Sequence, residues 1–174
     1  KKLSEKDKDA LKTYAHNFGS EGHIVNTDIL DVGPNLDMEY DEVPDFDVLV
    51  AGFPCQPYSI AGLRKGLTDV RGGDIFLKLI DLLSEKKPKA FLLENVAGLN
   101  HHDQGSTYHY MEERLTDAGY WVYKKLMNTK DYTQVPQNRP RLFIIGLSKS
   151  LYPDYPNAKI TSNQNSLPGF TVDI

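Results

Sequence analysis

The sequence predicts an α/β domain with a mostly parallel sheet and helices on both faces. Two short continuous apolar runs, at 48–51 and 90–93, read as strands buried on both faces. Between them, Ile75, Phe76, Leu79, Ile80, Leu82 and Leu83 recur at helical spacing. Stretches of the two kinds alternate along the chain, the pattern expected when helices connect parallel strands.

In chain order, residues 1–17 read as a helix, with Ser4 as cap and Leu11, Tyr14 and Ala15 as its apolar stripe. Gly19 and Gly22 end it, and residues 23–26 form a short strand. Residues 31–45 are acidic, carry two prolines and suit a loop or weak helix. The first apolar run follows, stopped by Gly52, Pro54 and Pro57, because proline cannot donate to a sheet ladder. Residues 62–73 are rich in glycine and charge, as in a mobile loop. Asp74 opens the central helix, which must stop before Pro88. Residues 89–93 are the second buried strand, and a polar loop with His101, His102 and Asp103 follows. A helix from about Ser106 ends at Gly119, a residue suited to a C′ position. Strands at 120–127 and 141–147 complete the sheet, and from Ser150 the composition shifts to that of a linker.

A chain of 174 residues suits one domain with a real core. With 40% hydrophobic and 25% charged residues the composition is ordinary for a globular protein, and no apolar run reaches the ~20 residues of a membrane span. The net charge of −4 leaves no overall nucleic-acid footprint, so any basic surface must be local. The single cysteine rules out an intrachain disulfide or a cysteine zinc cluster.

That cysteine, Cys55, lies just past the carboxyl end of a buried strand, where open α/β sheets bind ligands. A lone cysteine is commonly a small buried hydrophobe, but Gln56, Tyr58, Ser59 and two flanking prolines put this one in a polar loop, where it can serve as a nucleophile. Glu94 ends the second apolar run in the same way; it is either the first exposed residue or an acid sharing a crevice with Cys55. Arg139 and Arg141 alternate before the strand at 142–145, so they share a face and could meet one anionic or carbonyl-rich partner. A cysteine hydrolase would need a histidine near the thiol, and His101, His102 and His109 show no such pattern. Adjacent His101 and His102 with Asp103 are a poor ligand set for one metal ion, so no metal site is expected.

In order and spacing, Pro54-Cys55-Gln56, Glu94-Asn95-Val96 and Gln137-x-Arg139-x-Arg141 resemble the signatures of the cytosine-C5 DNA methyltransferases. Ala10-x-x-x-Tyr14-x-x-Asn17-Phe18, Asp28-Ile29 and Arg71-Gly72 extend the likeness over roughly residues 5–148. The resemblance implies a Rossmann-like, S-adenosyl-L-methionine-dependent methyltransferase fold. It implies that Cys55 attacks C6 of a flipped-out cytosine in double-stranded DNA, that Glu94 holds and protonates N3, and that Arg141 binds O2 with Arg139 in support. It also implies cofactor contacts from Glu5 (ribose), Asp28 (adenine amino group), Ile29, Phe53, Pro54 and Asn95. Gln56, Ser59, Arg71 and Val96 would face the substrate. Lys6 departs from the family's pattern, standing where an apolar or aromatic residue often lies beside the adenine.

The family's first strand and Gly-rich loop have no counterpart ahead of Lys1. The resemblance therefore implies a partial catalytic domain over residues 1–149, incomplete at both ends, with 150–174 leading towards an absent target-recognition region. It implies a bacterial-type cytoplasmic protein of a restriction–modification system. Expected partners are DNA and either a cognate restriction endonuclease or a complementing chain, with no membrane. An RNA cytosine methyltransferase, or a non-catalytic binding remnant, are the other readings.

Overall fold

The computed structural model describes residues 2–19, 21–22, 24–26, 28–53 and 73–155. The order is β1 (Lys2–Ser4), α1 (Lys8–Phe18), β2 (Ile24–Asn26), β3 (Val48–Gly52), α2 (Gly73–Lys86), β4 (Ala90–Val96), α3 (Ser106–Asp117), β5 (Tyr120–Asn128), α4 (Thr129–Tyr132) and β6 (Pro140–Ser148). β1 and β2 form a parallel pair, and a second sheet has the order β3-β4-β6-β5.

Three expectations are corrected. The first helix begins at Lys8: Asp7 caps it, its carboxylate accepting from the backbone N–H of Asp9 (2.8 Å) and Ala10 (2.9 Å). An aspartate facing the free N–H groups of a first turn is a strong start signal, and it frees Lys2–Ser4 to pair as a strand. Secondly, the main sheet is mixed. β3 and β4 are parallel, but β6 inserts antiparallel between β4 and β5. The connection from β5 to β6 is too short for a parallel crossover, so the two strands must run antiparallel. Thirdly, among the described residues the helices packed on this sheet share one face.

That face is set by the pleat. Phe91, Leu93 and Asn95 of β4 point to it, as do Leu142, Ile144 and Gly146 of β6, in the registers Phe91↔Gly146, Leu93↔Ile144 and Asn95↔Leu142. Phe76, Leu79 and Leu83 of α2 and Tyr108, Met111 and Leu115 of α3 close over them in one core. The opposite face is more open: Leu92 and Ile145 are half-buried, and Val48 and Val50 of β3 are 52% and 67% exposed. A smaller cluster of Val32, Val43 and Leu82 ties the loop after β2 to the far side of α2.

Gly119 (φ +97°) ends α3 in the left-handed conformation anticipated from the sequence. Gly146 is there for a different reason. The Phe91 ring lies across it, edge-on to the Tyr120 ring at 5.2 Å, and a Cβ at this position would fall inside the phenyl group. Gly146→Ala is therefore expected to destabilise the fold by about 1–3 kcal/mol, the usual cost of overpacking a filled core, as a lowered urea midpoint with an unchanged m-value.

Candidate functional site

β3 and β4 run parallel and in register, with Gly52 opposite Glu94, so their carboxyl ends lie side by side about 4.8 Å apart. Alternation from the core-facing Leu93 and Asn95 turns Glu94 to the open face. Gly52 leaves room for it, since a Cβ there would come within 3.3 Å of Glu94 Oε2. The sequence marked Gly52 only as a strand stop; its second role depends on a neighbour 42 residues away.

Across the sheet, β6 places Arg141 opposite Val96 and Phe143 opposite Glu94. Arg141 Nε reaches Glu94 Oε1 at 2.7 Å, and its Nη1 donates to the Pro140 carbonyl at 2.9 Å. A partly exposed ion pair of this kind stabilises folding by only about 0–1 kcal/mol, so its significance is where it holds the two groups. Both line an open cleft of about 310 Å³ whose other walls are Met127, Phe143, Asn128, Thr129, Tyr132, Thr133 and Arg139. The loop from β5 to β6 is pinned by Asn128: its Nδ2 donates to Asn138 Oδ1 at 2.7 Å, and its Oδ1 accepts from the Arg139 N–H at 2.9 Å. That clasp puts Arg139 and Arg141 on the same cleft, as their alternation suggested. The sequence reading did not single out Met127, Asn128, Thr129, Tyr132, Thr133 or Phe143. The repeated Asn at 128 and 138 was the signal that could have drawn attention to the loop.

Asn95 is 2% exposed, and both ends of its side chain are engaged. Nδ2 donates to the Phe53 carbonyl at 3.1 Å, and Oδ1 accepts from the Val96 N–H at 2.8 Å. The amide thus fastens β4 to the backbone two residues before Cys55. Phe53 itself is buried in the main core, its ring centroid 6.1 Å from that of Phe76. Val96 is 41% exposed at the end of β4. Pro54, Cys55, Gln56, Ser59 and Arg71 lie outside the described residues, as does most of the glycine-rich stretch at 62–73.

The smaller sheet repeats the arrangement. Ser4 pairs with Asn26, so Glu5 and Asp28 both stand just past the carboxyl ends of two parallel strands. Asp28 caps the turn at Ile29–Asp31 through the Leu30 N–H at 3.1 Å and pairs with Lys6 Nζ at 2.6 Å. The Lys6 ammonium, with help from the Leu30 N–H, holds the Asp28 carboxyl below the usual carboxylate range. Glu5 Oε1 accepts from the Asp7 N–H at 2.8 Å. Ile29 is half-buried and packs against both hydrophobic clusters. His102 is occupied by a 2.7 Å contact from Nδ1 to Thr107 Oγ1, and His101 Nε2 lies 3.2 Å from Asn100 Nδ2.

A parallel pair with Glu5 and Asp28 just past its end, and a second sheet whose Glu94 and Arg141 line an open cleft, match the way open α/β folds place ligand-binding groups towards the carboxyl ends of their strands. The Dnmt2 methyltransferase of S. pombe has this fold, with a TM-score of 0.62 at 20% identity over 83% of this chain and 42% of that one. The chain belongs to the C-5 cytosine-specific DNA methylases, whose family profile matches residues 2–172. It is 44% identical over 153 residues to the type II methyltransferase M.HaeII of Haemophilus aegyptius, covering 88% of this chain and 45% of the relative. It is 43% identical over 143 residues to M.Bsp6I of Bacillus sp. (strain RFL6), covering 82% and 43% respectively. The chain thus spans less than half the length of these curated relatives.

Two outcomes follow from the geometry. Asn95→Leu should cost about 1–3 kcal/mol, because it strips the Phe53 carbonyl and the Val96 N–H of their buried partner; chemical denaturation measures the loss. Asp28 has its folded-state pKa depressed, so its contribution to stability is present at neutral pH and disappears as pH falls through the folded value. Lys6→Gln should move the Asp28 carboxyl titration upward, read by carbon-detected NMR. An unmoved titration would show that Lys6 is not the cause.

Proposed function

We propose that this chain carries the base-activating half of a DNA cytosine-C5 methyltransferase of a restriction–modification system. The observation that carries the reading is the Glu94–Arg141 pair on the open face, beside the strand that leads to Cys55. Cytosine offers N3, an acceptor that becomes a donor when protonated, next to the O2 acceptor. A carboxyl group and a guanidinium held in one cleft match those two atoms. The cleft is an opening at the sheet edge, so the base must leave the duplex stack to enter it.

In this reading the Cys55 thiolate adds to C6 of the flipped cytosine, forming the S–C6 bond. The electron pair of the C5=C6 bond is drawn towards N3, which Glu94 protonates, leaving C5 nucleophilic. Arg141 releases Glu94 and donates to O2; Arg139 supports the rim. After methylation a base takes the C5 proton, the C5=C6 bond re-forms and the thiolate leaves, and N3 returns its proton to Glu94, so that Cys55 and Glu94 end as they began. Ser59 and Arg71 act as loop or phosphate contacts, with Gln56 and Val96 beside the substrate and Pro54 among the cofactor contacts.

The donor set past β1 and β2 fits S-adenosyl-L-methionine. Glu5 would take the ribose hydroxyls and Asp28 the adenine amino group, both donors to a carboxylate. Ile29, Phe53 and Asn95 would shape that site from behind. When bound, the group supplies an electrophilic methyl for C5. Lys6 already occupies Asp28, so the adenine amino group must share or displace that ammonium.

The test is covalent trapping. The chain, complemented by the part of its relatives that it does not span, is incubated with S-adenosyl-L-methionine and duplex DNA carrying 5-fluorocytosine, which blocks the last elimination. A DNA-linked peptide containing Cys55 is expected by mass spectrometry, and none from Cys55→Ser. An adduct on matched RNA alone would move the substrate to RNA; no adduct on either would refute the reading.

A further inference from the structure

We infer that the β5–β6 hairpin is a phosphate-binding surface for duplex DNA, with Lys125 and Lys130 as its sequence-independent contacts; this rests on the methyltransferase reading. The chain as a whole is acidic at −4, yet residues 124–141 hold five basic side chains (Lys124, Lys125, Lys130, Arg139, Arg141) and one acid, Asp131. Elsewhere among the described residues Lys6, Lys12, Lys78, Lys86 and Lys89 are each paired with an aspartate, and the exposed cations without an ion pair, Lys8, Lys87 and Arg114, stand singly on separate parts of the fold. Lys125, Lys130 and Arg139 are exposed, and among the described residues none of the three pairs with a carboxylate. Cations left unpaired in an acidic protein keep their full attraction for a polyanion.

Their placement gives that charge a direction. Glu94, Phe143 and Lys125 are register partners across β4, β6 and β5, so Lys125 is on the open face with Glu94, two strand spacings or about 10 Å away. Its Nζ stands 5.5 Å from the centroid of Tyr132, whose ring lines the cleft. Lys130 lies in α4, between the cleft-lining Thr129 and Tyr132. Lys124 is turned to the other face, 3.7 Å from the Tyr108 ring centroid, and takes no part. A cytosine whose Watson–Crick edge meets Glu94 and Arg141 carries its sugar and phosphates towards the rim, where Lys125 and Lys130 stand. Tyr132 and Val135, each 54% exposed, add apolar surface beside the cations, and the Tyr132 ring offers a plane for an unstacked neighbouring base.

Neutralised phosphates are counted by salt dependence, because each contact releases condensed counterions. Binding of the chain to a fluorescein-labelled duplex of mixed sequence is measured by anisotropy across a potassium chloride series. Lys125→Gln and Lys130→Gln should each make the plot of log K against log salt shallower by about one unit, with the effects adding in the double variant. Lys125→Arg should restore the slope, and Lys89→Gln at the opposite end of β4 should leave it unchanged. An unchanged slope in the double variant, or no salt-dependent binding by the parent chain, overturns the proposal. A Cys55 adduct alongside an unchanged slope removes this surface and leaves the methyltransferase reading standing. A shallower slope without any adduct keeps the surface and removes the chemistry.

Discussion

The site depends on the register of β4 against its two neighbours. A strand has only two sides, and the core claims Phe91, Leu93 and Asn95. Glu94 is therefore forced to the open face. The in-register pairing with β3 sets a glycine beside it, and the antiparallel pairing with β6 brings Arg141 within 2.7 Å. A slip of one residue would bury Glu94 beneath α2 and α3, at the cost of an unpaired charge in the core, and expose Asn95. The stability of the core and the position of the acid are thus one constraint. Asn95 reinforces it from behind, joining β4 to the Phe53 carbonyl, two residues before Cys55 in the chain.

Both sheets use the same device at different scale. In each, carboxylates stand towards the carboxyl ends of parallel strands: Glu5 and Asp28 just past β1 and β2, and Glu94 near the end of β4, opposite the end of β3. Free N–H groups near those ends do part of the holding: the Leu30 N–H for Asp28 and the Asp7 N–H for Glu5. Lys6 adds a cation beside Asp28, and the result is a carboxylate that stays ionised to lower pH than usual. The hairpin of β5 and β6 adds a third feature, an unpaired basic rim beside a cleft walled by an acid and an arginine.

Periodicity was a sound guide where burial is one-sided or complete. The apolar runs of β3 and β4, the stripe of α2 and the glycine after α3 all stand where the sequence put them, but β3 is not buried on both faces, since Val48 and Val50 are 52% and 67% exposed. It misled at the N-terminus, because Lys2–Ser4 has too few residues to show a period and becomes a strand only by pairing with Ile24–Asn26. It also missed the direction of β6. Nothing in Leu142, Phe143, Ile144 and Ile145 distinguishes a parallel from an antiparallel neighbour; the short hairpin from β5 decides it. Glu94, Arg139 and Arg141 were legible as candidates because charged residues at the ends of apolar runs stand out. Their convergence, and the walls supplied by Met127, Tyr132 and Phe143, were not.

The sequence by itself determined the α/β class, the order of most elements, and the chemical groups past the strand ends, since these follow from local patterns of burial and turn chemistry. The tertiary structure alone decided which of those groups meet. Contact between Glu94 and Arg141, clearance at Gly52 and Gly146, and the pairing of Lys6 with Asp28 each join residues more than twenty positions apart. Such distances in the chain are set by strand pairing and core packing, which no local window of sequence contains.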